Sequence, residues 1–484
     1  MKITRGGRLS GDLAPEVADF TSSSKHDIYI ADEVVEINLA HLLCLVQAGI
    51  ITREDGRLLA RALKEIKISA IPPDMEDVHM VVESELIKRV GEEIGGKIHT
   101  GKSRNDQVAA ALRMRLRRFI IEICGCLIEL QNALLKKGEV YIDTVMPGYT
   151  HLQHAQPISV SHHMLAYFDM FDRHLARLLS CYKRVNLSPM GSAALAGTGY
   201  PIDRVKLAEY LGFEGLVENT LDAVSTRDFS LETVAALSIM MVDVSRIAEE
   251  LVIWASNEFG YVDLPDDHSS TSSIMPQKKN PVTAEVLRAK CGDVLGDLVS
   301  MVVIMKSLPL AYNLDMQELT PHLWNACEIS KRSLKILADL ITKIRFNEAR
   351  LKSSVVKGSS VATELADTLV RNLGLPFRAA HRIVGEITKE LFPASLSEVP
   401  PEKIAELIYK KTGKMLDIRL IQSATDPAFN INVRSTTGGP ASREVERMIS
   451  TRRELLKKNK QYVEGLTAKL SDKSVLLNSL IDSL

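Results

Sequence analysis

Residues 271–281 contain several side chains of the types that acid–base chemistry uses. The segment reads Thr-Ser-Ser-Ile-Met-Pro-Gln-Lys-Lys-Asn-Pro, and its candidate groups are Ser272, Lys278 and Asn280. Pro281 stands where a helix can begin, and the sequence after it has helical spacing. The free N–H groups of a helix end, together with Lys278, favour a bound carboxylate. We name residues 271–281 the signature loop and predict that it is an active-site loop; a flexible polar loop that caps the helix is the alternative.

A second polar segment, residues 148–157, contains His151 and His154. Histidine exchanges protons near neutral pH, so His151 is a candidate acid, base or hydrogen-bonding group. Histidines three positions apart can also bind a metal, but no acidic or cysteine ligand stands at a supporting spacing. We therefore favour proton transfer or hydrogen bonding over metal binding, and a purely structural histidine is the commoner alternative.

Residues 96–103 match the phosphate-binding pattern G-x-x-x-x-G-K-[ST] letter for letter. A true P-loop follows a buried β-strand, whereas residues 81–94 have charged side chains at helical spacing. Nucleotide hydrolysis is therefore disfavoured. Ser103, Arg104 and Asn105 are instead predicted to form a polar turn that opens a long helix, with donors that can hold a carboxylate.

The composition indicates an ordinary globular protein of two or three domains, with 484 residues, 45% hydrophobic and 25% charged. A formal net charge of -1 gives no reason to expect nucleic acid or an anionic membrane as a partner. The six cysteines lie mostly in apolar, helical-looking sequence and are interpreted as reduced core thiols. Because no apolar export segment is present, we expect a cytoplasmic protein.

The elements that position these groups are predicted to be long helices. The helical candidates are residues 107–143, 157–184, 216–259 and 282–306. Four long helices without persuasive strands indicate an all-α fold, and apolar stripes as wide as residues 237–242 indicate that other chains pack around the bundle. The predicted domains are an N-terminal helical domain (1–104), a central bundle (105–354) and a C-terminal helical domain (355–484), which ends in a charged, solvated helix.

The pattern Ser272-x-x-Met275-x-x-Lys278-x-Asn280 resembles the signature of the fumarase/aspartase superfamily. Further segments are similar to the argininosuccinate lyase family: residues 103–109, 149–157, 275–281 and 311–318. The resemblance implies a homotetramer whose chains pool their long helices, with active sites shared among three chains. It also implies reversible cleavage of argininosuccinate to arginine and fumarate, in arginine biosynthesis, with no metal or organic cofactor.

The same resemblance implies the roles of individual residues. Substrate contacts are expected at Ser23, Asp77, Ser103, Arg104, Asn105, Thr150, Asn280, Tyr312 and Gln317. Ser272 is expected to be the base and His151 the acid or acid-activating group, with the reverse assignment open. Lys278 and Asn280 suit a carbanion intermediate. Glu285, one turn inside the helix, is expected to pair with Lys278 or to orient His151.

Three positions depart from the family pattern. Thr271 replaces a glycine, Arg5 replaces an aromatic residue, and Thr320 stands where many members carry a substrate-binding lysine. The last change removes a cation from a site for a tricarboxylate. Another fumarate-releasing lyase of the superfamily, acting on adenylosuccinate or aspartate, is therefore an alternative. A non-catalytic, crystallin-like structural protein is a third possibility.

Overall fold

The described residues begin with a series of mostly short helices, two of which have side-chain N-caps. A computed structural model describes residues 13–72 and 75–484, so Arg5 lies outside the described residues. The helices of this region are α1 (Pro15–Phe20), α2 (Ser24–Asp27), α3 (Ala31–Gln47), α4 (Arg53–Glu65), α5 (Val78–Val90) and α6 (Glu92–Gly95), with 3-10 turns at Ile28–Ile30 and Gly96–His99. Asp77 begins α5 because its carboxylate accepts the Met80 N–H at 2.7 Å. Residues 81–90 are therefore helical, and no strand precedes the glycines of the P-loop-like segment.

The middle of the chain is a bundle of long helices. Its helices are α7 (Arg104–Val140), α8 (Val160–Val185), α9 (Arg204–Tyr210), α10 (Thr220–Ser225), α11 (Asp228–Ala255), α12 (Val282–Met305) and α13 (Leu319–Lys343), with a 3-10 turn at Asp266–His268 and another at Leu314–Gln317. Its strands are β1 (Val145–Thr150), β2 (Gln153–Ser159), β3 (Val262–Asp263), β4 (Ser270–Thr271), β5 (Lys279–Asn280) and β6 (Arg345–Phe346). The antiparallel pairs are β1 with β2, β3 with β6, and β4 with β5.

The all-α prediction is confirmed, with three corrections. The predicted helix over residues 216–259 is divided into α10 and α11. Within the described residues five helices of 24 residues or more form the bundle, because α13 is a long helix that was not anticipated. The segment with His151 is a β-hairpin, so α8 begins at Val160 and not at Pro157. Pro157 instead lies in β2, where it is paired with Pro147 of β1.

The C-terminal region has its own small core and one long returning helix. Its helices are α14 (Glu348–Lys357), α15 (Ala362–Leu373), α16 (Phe377–Leu391), α17 (Pro401–Thr412), α18 (Ile418–Ala424), α19 (Pro427–Val433) and α20 (Ser442–Asp482). A separate apolar cluster spans residues 361–424. The expectation of a solvated last helix holds for its charged face alone, because α20 packs along α7 and buries an apolar face in the main core. The three-domain division stays a prediction.

The bundle has two distinct ends, which decide where each polar segment lies. Helices α7 and α13 run in the same direction, because Lys137 near the end of α7 donates to the carbonyls of Thr342 and Ile344 at 2.9 and 2.8 Å. Helix α12 runs antiparallel to α13, since Asp297 accepts from His322 near the start of α13. We call the end where α7 and α13 begin the cavity end, and the opposite end the loop end.

Candidate active site

A cavity of about 160 Å³ lies at the cavity end of the bundle. Six predicted substrate contacts line it, together with Thr320, which is one of the three departures from the family pattern. The six residues are Ser23, Asp77, Arg104, Asn105, Tyr312 and Gln317. They come from the α2 region, the start of α5, the start of α7 and the turn before α13. The fold thus brings together side chains that are widely separated along the chain.

The cavity contains both fixed charge and a protonatable carboxyl. The Arg104 guanidinium pairs with the Asp77 carboxylate at 2.9 Å. The Asp27 carboxylate accepts from the Ser23 hydroxyl at 2.8 Å and from the Val78 N–H at 3.2 Å. Burial nevertheless raises the pKa of Asp27 to about 6, because the charged form loses water. The cavity therefore offers donors, acceptors and a carboxyl whose charge depends on pH near neutrality.

Ser103, a further predicted contact, is the N-cap of α7 and stands beside the cavity. Its hydroxyl accepts the Asn105 N–H at 3.3 Å, and Asp106 completes a capping box by accepting the Ser103 N–H at 3.0 Å. The Asn105 amide donates to the Ala194 carbonyl at 3.0 Å, which fixes its direction. The neighbouring Lys102 is buried and donates to the Asn38 carbonyl oxygen, so its ammonium does not point into an open phosphate cradle.

The signature loop lies at the loop end, immediately before α12. It is closed by the short β4–β5 pair, and its tip is exposed. The Ser272 hydroxyl, half-buried, accepts the N–H groups of Ile274 and Met275 at 3.3 and 3.1 Å. The Asn280 amide donates to the Ser270 hydroxyl at 3.4 Å. Helix α12 begins at Val282, so the predicted helix start after Pro281 is confirmed.

The charged residues of this loop region face solvent. Lys279 pairs with Asp263 at 3.1 Å and with Asp266 at 2.9 Å. Lys278 is exposed, and within residues 13–72 and 75–484 it has no acidic partner. Glu285 is exposed on the first turn of α12, and the expected ion pair with Lys278 is not formed in this single chain. Lys278 is therefore a free cation beside a helix N-terminus.

His151 stands at the tip of the β1–β2 hairpin, also at the loop end. Thr150 precedes it at the end of β1, and both side chains are exposed. The backbone of His151 and of Leu152 is left-handed, with φ of 56° and 55°. Such conformations are strained for residues with a side chain and are enriched at functional sites. The tip thus presents His151 outward. Behind it, the Tyr149 hydroxyl is hydrogen-bonded to His154 Nε2 at 3.0 Å.

The two groups of predicted residues lie at opposite ends of the same rods. Helix α7 has 37 residues, so Arg104 at its start is about 55 Å from its other end, at about 1.5 Å per residue. Helix α12 has 24 residues, so at the same rise per residue it separates the signature loop from the 3-10 turn of Gln317 by about 36 Å. Within one chain, no small substrate spans the cavity and the signature loop.

Two residues of the cavity wall were missed by the sequence analysis, Asp27 and Arg227. Asp27 follows Ser23 by four positions, which is a helical spacing that could have linked the two. Arg227 is 1% exposed and lies between α10 and α11, in the interval 216–259 that was predicted to be one helix. Other charged residues lie around it, with Asp228 directly after it, so no sequence signal singles out Arg227.

One group of side chains in the described part of the chain approaches the geometry of a metal site. Asp267, His268 and Asp339 have ligand atoms that lie within 4.8 Å of one another. The Lys343 ammonium already donates to Asp267 at 2.5 Å and to Asp339 at 2.6 Å, and it supplies the positive charge that a cation would bring. We therefore assign this cluster to anchoring the signature loop on α13. None of the described helices is long and apolar enough to cross a membrane.

The chain is similar to known proteins over nearly its whole length. Residues 7–296 match the family model described as Lyase, and residues 359–426 match the model described as Argininosuccinate lyase C-terminal. An argininosuccinate lyase of Methanothrix thermoacetophila is 44% identical over 99% of this chain and 97% of its own length. The argininosuccinate lyase of Methanocaldococcus jannaschii is 42% identical over 99% of both chains.

Solved structures give the same fold. An EDDS lyase variant with bound fumarate is 28% identical and superposes with a TM-score of 0.88, covering 99% of this chain and 97% of its own. A class II fumarase from Schistosoma mansoni is 18% identical, with a TM-score of 0.70, over 83% of this chain and 90% of its own. That second likeness concerns the fold alone. On the full-length identity to its relatives, the chain belongs to the argininosuccinate lyase family, whose members are lyases.

Proposed function

We propose that the chain cleaves argininosuccinate reversibly to arginine and fumarate, in arginine biosynthesis in the cytoplasm. Supporting this assignment, two arginines and three carboxylates line the cavity, and a substrate with three carboxylates, a guanidinium and an ammonium requires both kinds of group. Adenylosuccinate and aspartate remain the alternative substrates, because Thr320 places no charge in the cavity. No organic or metal cofactor enters the proposal.

The proposed chemistry needs three events at the bond between carbon and the guanidine nitrogen. In the first, Ser272 removes the proton beside a carboxylate, and the electron pair remains on that carbon. The carbanion is stabilised by Lys278, by Asn280 and by the N-terminus of α12. That electron pair then forms the carbon–carbon double bond of fumarate as the carbon–nitrogen bond breaks. His151 finally gives a proton to the departing nitrogen; the opposite assignment of Ser272 and His151 uses the same atoms.

We propose further that each site is built from several copies of the chain in a homotetramer. The observation behind this proposal is that the cavity lies at one end of α7 and α12, while Ser272 and His151 lie at the other. Antiparallel packing of such rods brings the loop end of one copy to the cavity end of another. The outer face of α12 supports this packing, because its apolar side chains are exposed in the single chain: Val286, Leu295, Val299, Val302 and Val303.

The direct test follows fumarate absorbance when the purified protein is mixed with argininosuccinate and, separately, with adenylosuccinate, aspartate and malate. Fumarate is expected from argininosuccinate. Fumarate from another of these compounds, with none from argininosuccinate, would replace the proposed substrate. Absence of turnover on all four would favour the crystallin-like alternative. Sedimentation of the same sample should give the mass of four chains.

A further inference from the structure

Arg227 is a buried cation whose side chain is only partly satisfied by the protein. It is 1% exposed, and one terminal guanidinium nitrogen donates to the carbonyls of Thr226 at 2.8 Å and Val224 at 3.3 Å. Its Nε and its other terminal nitrogen are buried and have no hydrogen-bond partner among the described residues. Buried polar groups in proteins are almost always hydrogen-bonded, so two unpaired donors on one charged group need an explanation.

The surroundings of Arg227 make this cation costly. Within residues 13–72 and 75–484 it forms no ion pair with an acidic side chain, and Arg113, a second buried cation, lies close enough to repel it. Burial lowers the pKa of Arg227 to about 10, so the group is still charged at neutral pH. A buried charge without a counter-ion destabilises a folded protein. A bound ligand that supplies the counter-ion explains why this guanidinium is buried without an acidic partner.

The position of Arg227 shows which ligand group reaches it. Arg227 lines the same cavity as Tyr312 and Thr320, and Thr320 is neutral. Arg104 stands at the more open part of the cavity, with a side chain that is 24% exposed. In the proposed shared site, Ser272 and His151 of other copies must approach from this open side. The buried wall therefore receives the end of the substrate that is farthest from the bond that breaks.

We infer that Arg227 binds the α-carboxylate at the arginine end of the substrate, through the two guanidinium nitrogens that the protein leaves unpaired. This inference rests on the proposed function, because it takes the substrate to carry an amino-acid group at that end. The carboxylates that also line the cavity, Asp27 and Asp77, suit the ammonium and guanidinium groups of the same molecule. Arg227 is thus the residue that distinguishes an amino acid from an amine or amide at this end.

The test compares L-arginine with L-argininamide, which keeps the ammonium and guanidinium groups but has no carboxylate charge. Binding of each to the assembled, unmodified protein is measured by calorimetry, which needs no turnover. Arginine should bind about tenfold to a hundredfold more tightly, as one charge-assisted pair predicts. Equal binding of the two compounds by the unmodified protein would overturn the inference, whatever the variants do.

Variants test whether Arg227 causes the preference for arginine over argininamide. Arg227→Met should reduce the preference for arginine to about threefold or less, with the affinity for argininamide unchanged. Adding Thr320→Lys to this variant should recover part of the preference, because the new ammonium enters the same cavity. Arg246→Met, which removes an arginine with a 68% exposed side chain on α11, is the matched control and should change nothing. Equal loss of both ligands in a folded Arg227→Met protein would assign Arg227 to shaping the cavity and refute carboxylate binding.

Argininosuccinate cleavage by the same unmodified preparation separates this inference from the proposed function. Absence of cleavage on its own counts against the proposed function. Normal cleavage together with an undiminished preference for arginine in Arg227→Met counts against the inference alone.

Discussion

Two inactive variants of this chain should restore each other's activity when they assemble together. The perturbations are Asn105→Ala, which damages the cavity, and His151→Asn, which removes the proposed acid at the hairpin tip. Because α7 holds these residues about 55 Å apart in one copy, a shared site takes them from different copies. Each variant alone lacks one group in every site, whereas a mixed assembly contains some sites with both groups intact.

The recovered activity depends on the fraction of sites in the mixture that contain both intact groups. In a random equal mixture, a site takes its cavity from a His151→Asn chain in about half of the cases. It takes its hairpin from an Asn105→Ala chain in about half of the cases as well, so about one quarter of the sites are intact. Activity should therefore rise to roughly a quarter of that of the unmodified protein, which is far above the residual rate of either variant.

The assay is fumarate release after the two proteins are denatured, mixed and refolded, with each variant refolded alone for comparison. The matched control is a mixture of Asn105→Ala with Arg104→Ala. Both changes damage the same cavity, which one copy supplies entirely, so this mixture should recover nothing. Mixed tetramers that mass measurement verifies, but that show no gain over the separate variants, would refute the shared site. Recovery of activity in the control mixture would refute the premise that one copy supplies the whole cavity.

Further predictions concern catalysis, packing and pH. Ser272→Ala should lower turnover at least about a hundredfold at saturating substrate, with an unchanged circular dichroism melt, because general acid–base groups contribute roughly 10²–10⁴. Leu466→Ala on α20 should lower the free energy of unfolding by about 2–4 kcal/mol in denaturant titrations, since that side chain is 4% exposed, whereas Tyr462→Ala, at 51% exposed, should cost much less. Folding raises the pKa of Asp27 from 3.8 to about 6, so the unfolding free energy should fall by about 2 kcal/mol as the pH rises from about 4 to 8 and the buried carboxyl ionises. Asp27→Asn should therefore flatten the dependence of the unfolding free energy on pH over that range; an unchanged slope would contradict the assignment.

The helices could be predicted from the sequence because features within each segment determine where a helix begins and ends. The span of α7 follows from the absence of proline, the apolar spacing and the Ser103–Asp106 capping box. The start of α12 after Pro281 has an equally local cause. These features require no knowledge of the neighbouring elements. Grouping Ser23 with Tyr312 required the family resemblance, since only the packed bundle brings them to one cavity.

The features that the sequence analysis missed depend on packing. The hairpin from Val145 to Ser159 contains a glycine and two prolines, and its strands exist because they pair with each other and contact α14. Helix α20 has enough charge to look solvated, yet its apolar residues recur at a spacing that matches the groove along α7: Val445, Met448, Ile449, Leu456, Val463 and Leu466. Arg227 was missed because one charged residue forms no periodic pattern. Its importance is visible only in the structure, where two of its buried nitrogens have no hydrogen-bond partner among the described residues.

The proposed assembly also explains why the groups to which we assign the chemistry are so exposed in a single chain. Ser272, Lys278 and His151 are on exposed loops that few contacts hold, whereas the cavity residues are fixed by caps and ion pairs. A site that forms when rods pack side by side needs one rigid half, which fixes the substrate, and one half that projects outward from a neighbouring copy. In the proposed assembly the apolar outer face of α12 links these requirements, because a contact that buries this face also brings the signature loop toward the cavity of another chain. On this proposal hydrophobic association and active-site assembly are a single event, and the left-handed turn at His151 is the part of the hairpin that we expect to enter the neighbouring site.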